Sequence, residues 1–307
     1  MVDFLIVGTP KSGTTALQSY LSKHPEIFMP EFKELHFFGS EFKEKHSKYS
    51  KSLTTNEYSN LFKNGTTNQL KGEASVFYLY SNDAHIHIKS FNPEMKIIVC
   101  FRHPVDFLIS YHQDALYVEI ENEKDFWKAL ALENKRKKGA CIPKTTSFIK
   151  SLYYSELIDY ASHLKQYIST FGKENVKVVF LFEELISNPQ KEYKSILNFL
   201  NVTDTDFSLE QFEKVNPRRN IKNKSINNLI KNPLPLPFRF LLRVFFPFQK
   251  LRLLIYNKIK TLNTDYSKVN TLSHLEKVKL QKDILPNIIH LEKVLETDLS
   301  VWKNKYI

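Results

Sequence analysis

Phe4-Leu-Ile-Val-Gly8-Thr-Pro-Lys11-Ser-Gly13-Thr-Thr15 runs an apolar segment into a turn containing glycine and lysine, and then into a helix-forming stretch. The first amides of an α-helix have no partner within the helix, and the helix dipole favours negative charge there. A helix starting near Gly13 therefore offers a site for phosphate or sulfate oxygens, with Lys11 as a cation beside it. Further strand signals lie at 70–73, 96–101 and 176–182, each a short apolar or β-branched run. Helical patterns separate them: 13–22, ended by His24-Pro25; 104–116, with Pro104 at its first position; and 153–171, before Gly172. Others cover 123–137, 189–200 and 274–297. This alternation predicts an α/β protein of three layers, a central, mostly parallel sheet flanked by helices, with ligands bound beyond the carboxyl ends of the strands.

With 307 residues, 42% hydrophobic and 25% charged, the chain has the composition of a globular protein with a substantial core. Repeats, low-complexity tracts and Gly/Ser-rich linkers are absent from the sequence, so one domain over 1–307 is expected, with a basic and aromatic helical elaboration from about 233. The excess of 44 Lys+Arg over 33 Asp+Glu, a formal charge of +11, suits a polyanionic nucleotide, an acidic glycan, nucleic acid or an anionic membrane. A nucleic-acid signature is not apparent, and no nucleic-acid partner is expected. Cys100 and Cys141 are the two cysteines and have no metal-ligand spacing, which speaks against a zinc site or a disulfide framework. The first strand begins so close to Met1 that no export signal fits before it, and the longest apolar tract, 233–256, is interrupted by prolines and arginines. A cytoplasmic location is the expectation.

Read from Gly8 to Gly13, the opening loop has the spacing of the nucleotide-binding pattern GxxxxGK[ST], but Thr14 stands where that pattern needs lysine. A nucleotide kinase or NTPase would also need an acidic metal ligand after a strand, for which Val179-Phe-Leu-Phe182-Glu183 is the nearest stretch. After strand 96–101 comes Phe101-Arg102-His103-Pro104, with Ser110 eight residues past the arginine. Arg102 is either a surface arginine or a bidentate grip for phosphate, with Ser110 adding a hydrogen bond. In Phe32-Lys33-Glu34-Leu35-His36-Phe37-Phe38, a carboxylate and an imidazole stand two residues apart among aromatics. Glu34 is either a surface carboxylate or a partly dehydrated base whose pKa is expected to rise, and His36 either a core histidine or a site residue. Asn216 to Lys224, with Arg218 and Arg219, is a basic loop that is either solvated or anion-binding. The stretch 238–260 mixes bulky apolar side chains with spaced cations, which suits helical packing, an acidic acceptor or peripheral contact with an anionic membrane.

Taken together, these motifs resemble the sulfotransferases that use 3′-phosphoadenosine 5′-phosphosulfate (PAPS), the glycan-modifying type in particular. The opening loop, with lysine inside the turn, resembles their 5′-phosphosulfate loop; Arg102 and Ser110 resemble their 3′-phosphate motif; residues 33–38 resemble their KExHFF segment; and Asp298-Leu-Ser-Val-Trp302 resembles the ending of bacterial members. The resemblance implies a P-loop-like fold and a 5′-phosphate held around Lys11, Ser12, Gly13, Thr14 and Thr15. It also implies Glu34 as general base, assisted by His36, and a late donor loop carrying Arg218 and Arg219. Lys11 would stabilise the leaving phosphate, no metal would be needed, and the acceptor would be a hydroxyl on a carbohydrate or glycoconjugate. One departure stands out: Glu73-Ala74-Ser75 carries alanine where the family often has lysine. The resemblance leaves Glu73 either lining the site or bracing a loop. A noncatalytic polyanion-binding module is the remaining alternative.

Overall fold

The structure is a computed structural model and describes residues 2–42, 53–203, 220–221, 258–259, 261–265 and 272–307. In chain order the described elements are β1 (Phe4–Gly8), α1 (Thr14–Leu21), β2 (Ile27–Phe28), α2 (Thr55–Asn60), β3 (Leu70–Ala74), α3 (Ala84–Phe91), β4 (Lys96–Phe101), α4 (Pro104–Tyr117), α5 (Phe126–Ala131), α6 (Glu133–Lys137), α7 (Tyr154–Leu157), α8 (Tyr160–Phe171), β5 (Val176–Phe180), α9 (Pro189–Leu200), β6 (Asn220–Ile221), β7 (Thr264–Asp265), α10 (His274–Leu295) and α11 (Ser300–Lys303). The main sheet runs β2-β3-β1-β4-β5, and every pairing in it is parallel. The short β6–β7 pair is antiparallel and separate. Arg218, Arg219 and most of 238–260 lie outside the described residues.

Side chains alternate across a strand, so β1 feeds two cores. Leu5 and Val7 join Ile97, Val99 and Phe101 on the face covered by α3, α4, α8 and α10. Phe4 and Ile6 join Ile98, Cys100 and Val179 on the face covered by α1 and α9. This is the three-layer arrangement that the periodicities predicted. The inner strands are buried on both faces, which is why they read as continuous apolar runs. Gly72 on β3 pairs with Phe4, and a Cβ there would meet the Phe4 ring at 2.1 Å, so this position of the sheet has room only for glycine.

Several expected boundaries moved. The helix expected over 153–171 is two helices, because Asp159 turns its carboxylate onto the amide of Ser162 and starts α8 afresh. The pattern over 123–137 starts only after Asp125, which accepts from the Lys128 amide, and breaks at Leu132 between α5 and α6. The strand expected to reach 182 stops at Phe180. Leu181–Ile186 forms a wide π-type turn, with the Phe180 amide donating to Glu184. The short β2 and the helices α2 and α3 were not anticipated, although Thr54 and Glu57 form a capping box at α2.

The C-terminal helices close over the sheet end that carries Arg102. Trp302 is 1% exposed; its indole N–H donates to Glu183 Oε1 at 2.7 Å and its ring meets Phe180 and His103 edge-on. Trp302→Ala is expected to lower stability by about 3–5 kcal/mol, measured by denaturant unfolding, because it leaves both a cavity and a carboxylate without its donor. Among the described residues no helix is long and apolar enough to cross a membrane.

Candidate active site

The loop between β1 and α1 is held by side chains rather than by regular structure. The Thr9 amide and hydroxyl both donate to the Cys100 carbonyl, at 2.6 and 3.0 Å, tying the loop to the end of β4. The Thr9 and Ser12 hydroxyls lie 2.5 Å apart, and Ser12 also donates to the Pro10 carbonyl. The Ser12 side chain is thus spent on the turn, and its amide is what it can offer a ligand. Gly13 sits at φ +80° before α1, no side chain caps this helix, and a Cβ on Gly13 would meet Leu181 Cδ1 at 2.6 Å. Glycine is required here both by its left-handed backbone and by the lack of space. The first turn of α1 therefore starts without a side-chain cap, the condition on which the expected anion site depends.

Around this turn the structure gathers two of the predicted cations, Lys11 and Arg102. Arg102 is nearly buried, and its Nη1 donates to the Lys11 carbonyl at 3.2 Å, so the two anion-binding features read separately from the sequence are in contact. Lys11 Nζ lies 3.0 Å from Asp114 Oδ1 on α4. Ser110 is buried one turn earlier on the same helix and so shares the face that meets the loop. Behind Arg102, His103 donates from Nε2 to the Trp302 carbonyl. Burial pushes this imidazole down to about 4, so it is neutral at physiological pH and adds no charge to the site.

Glu34 and His36 stand in the segment after β2, against the end of β3. The Glu34 amide donates to the Ala74 carbonyl, and Glu34 Oε2 accepts from the Val76 amide at 3.0 Å. His36 Nε2 lies 3.3 Å from Oε2, and Lys33 Nζ 3.2 Å from Oε1. The expected rise in the pKa of Glu34 is overturned. Burial pushes it up, but the His36 contact, the charges of Lys33 and His36 and the Val76 amide together outweigh burial and hold it below the ordinary carboxylate value. Lys11, Glu34 and His36 all adopt left-handed backbone, at φ 60°, 59° and 48°. Seven described non-glycine residues adopt this sparsely populated region, and at these three, all predicted site residues, the fold overrides local preference.

Two contributors, Lys33 and Asp114, were given no role from the sequence, and Glu73, left open between lining the site and bracing a loop, takes the second part. Lys33 Nζ reaches the hydroxyls of Thr15 and Thr14, at 3.0 and 3.4 Å, as well as Glu34, and so spans the donor-type loop and the carboxylate. Its adjacency to Glu34 in an aromatic segment was the available signal. Asp114 carried no signal beyond its place on α4. Glu73 is fully buried and accepts from the hydroxyls of Tyr58, Ser75 and Tyr78. Ser75 Oγ in turn accepts the His36 amide, and the Tyr78 hydroxyl accepts the Phe37 and Phe38 amides. Glu73 braces the Glu34–His36 segment from beneath, and burial pushes its own pKa up despite these donors. Ala74 is buried in the sheet core, so β3 brings no cation to the site at that position. Among the described residues no group of His, Cys, Asp and Glu is arranged to hold a metal ion.

Comparison with known proteins adds to this geometry. The sulfotransferase domain family profile matches residues 2–234. The crystal structure of a sulfotransferase from Alicyclobacillus acidocaldarius superimposes with a TM-score of 0.69, covers 99% of each chain and is 25% identical. Human bifunctional heparan sulfate N-deacetylase/N-sulfotransferase 2 is 27% identical over 212 residues, 65% of this chain and 22% of that protein. Mouse heparan sulfate glucosamine 3-O-sulfotransferase 5 is 24% identical over 198 residues, 64% of this chain and 53% of that protein. These alignments thus span between about a fifth and a half of the curated relatives' length.

Proposed function

The chain belongs to the sulfotransferase domain family, and from that premise we propose that it transfers a sulfuryl group from PAPS to an alcohol hydroxyl on a carbohydrate or glycoconjugate. The observation that carries the donor assignment is the 3.2 Å hydrogen bond from Arg102 to the Lys11 carbonyl. It joins an uncapped helix N-terminus to a second phosphate-gripping side chain at the neighbouring strand end, which suits a donor bearing phosphate at both 5′ and 3′ positions. The names of the heparan sulfate sulfotransferases among the relatives support a carbohydrate acceptor.

In this mechanism the amides of Ser12, Gly13, Thr14 and Thr15 hold the 5′-phosphate, and Arg102 with Ser110 holds the 3′-phosphate. Glu34 takes the proton of the acceptor hydroxyl, and His36 keeps the carboxylate oriented. Lys11 leaves Asp114 and offsets the charge that develops on the bridging phosphate oxygen as the S–O bond breaks. PAPS supplies the activated sulfuryl group, and the chain's own part is positioning, deprotonation and electrostatics.

Incubating the protein with sulfur-labelled PAPS and a panel of oligosaccharides, lipid-linked sugars and small alcohols tests this function. Label on a carbohydrate is expected. Label only on a non-carbohydrate alcohol would overturn the acceptor, and tight Mg-ATP binding with no response to 3′-phosphoadenosine 5′-phosphate (PAP) would overturn the whole assignment. Arg102→Ala is expected to raise the Kd for PAP by about 10- to 100-fold in titration calorimetry, the loss of a charged hydrogen-bonding group from a buried phosphate. An unchanged Kd would remove Arg102 from donor binding.

A further inference from the structure

Sulfuryl transfer requires the donor's sulfur to sit between the anion-binding loop that holds the phosphate and the base that deprotonates the acceptor. A side chain that touches both the loop and the base therefore borders the group in flight. Lys33 is such a side chain, with Nζ 3.0 Å from Thr15 Oγ1 in the first turn of α1 and 3.2 Å from Glu34 Oε1. It arrives from the segment after β2, whereas Lys11 enters from the β1 side, where Asp114 holds it. The two ammonium groups thus have different anchors, one on the carboxylate of α4 and the other on the base itself.

We propose that Lys33 is a second catalytic cation of the transfer, contacting the sulfuryl oxygens between the first turn of α1 and Glu34. This rests on the sulfotransferase assignment above. In the step, the acceptor O–H bond breaks as the acceptor O–S bond forms, and the proton passes to Glu34. The bond from sulfur to the bridging phosphate oxygen breaks with its electron pair on that oxygen. Protonation of Glu34 removes the negative charge that holds Lys33 before the reaction, so the ammonium turns to the sulfuryl oxygens as they move. Such a contact strengthens only as the reaction proceeds, and interactions of that kind accelerate the chemical step. An ordinary solvated Lys–Glu pair would do none of this and contributes little to stability. At 25% exposure, Lys33 can be replaced without opening the core.

The test compares the parent chain with Lys33→Met and Lys33→Arg. Titration calorimetry measures Kd for PAP, which lacks the sulfuryl group, and for PAPS; turnover is measured on the acceptor that takes label in the panel. Lys33→Met is expected to leave the Kd for PAP within about twofold, to weaken PAPS by about 10-fold and to lower kcat by about 100-fold, with Lys33→Arg recovering part of the loss. Equal losses for PAP and PAPS would make Lys33 a structural support of the loop, and unchanged PAPS binding and kcat would make it a surface pair; either result overturns the proposal. Absence of transfer and of PAP binding in the parent chain would instead sink the sulfotransferase assignment itself, so the two failures are distinguishable.

Discussion

Glu34→Gln is expected to leave the Kd for PAP within about twofold of the parent chain and to lower kcat by about 10²- to 10⁴-fold, the range that a positioned general base contributes. The substitution is nearly isosteric. The amide oxygen of glutamine can still accept from the Val76 amide, which holds Oε2 at 3.0 Å in the parent chain, so the segment keeps its shape while losing its proton acceptor. The direction of the Glu34 pKa shift adds a pH signature. His36, Lys33 and the Val76 amide hold this carboxyl below its ordinary value of 4.5 despite burial. Folding therefore favours its charged form, and that contribution to stability is present above the unfolded-state value and lost as pH falls through the depressed one. The acid limb of kcat/KM should accordingly lie below the ordinary carboxylate range, with the base fully ionised at neutrality. Near-parent turnover in Glu34→Gln would remove Glu34 from the mechanism.

Lys11→Ala is expected to reduce kcat by about 10²- to 10³-fold, because it removes the cation proposed to meet the leaving phosphate oxygen. The 3.0 Å contact with Asp114 complicates the single variant, since alanine leaves an unbalanced carboxylate beside the donor phosphates. The double variant Lys11→Ala/Asp114→Asn removes that repulsion. Donor binding measured by calorimetry should recover in the double variant while kcat remains low; recovery of kcat as well would show that Lys11 serves only to neutralise Asp114.

How much of this was legible in advance depends on how far apart the interacting residues lie. The strand-turn-helix of residues 4–21, the strand at 96–101 and the helix begun by Pro104 came out nearly as read, because apolar periodicity, a proline at N1 and a glycine at a left-handed turn act within a few residues. The break before α8 was hidden: the apolar pattern runs through 153–171, and only the Asp159 cap interrupts it. The pKa of Glu34 was misjudged for a related reason. The aromatic neighbours in the sequence suggested dehydration, while one of the donors that reverses it, the Val76 amide, comes from 42 residues away.

The sequence by itself determined the α/β class and the glycine-led start of α1, since periodicity and turn chemistry act within a few residues, while local chemistry left Arg102 and Glu34 open and the family resemblance made them candidates. Only the tertiary structure decided what those residues face. Lys11 meets Asp114 across 103 residues and Arg102 meets the Lys11 carbonyl across 91, while Glu73 reaches the His36–Phe38 backbone through Ser75 and Tyr78. These contacts depend on the parallel register that sets the ends of β1, β3 and β4 side by side. That register is fixed by the packing of two whole cores, and no local window of sequence contains it.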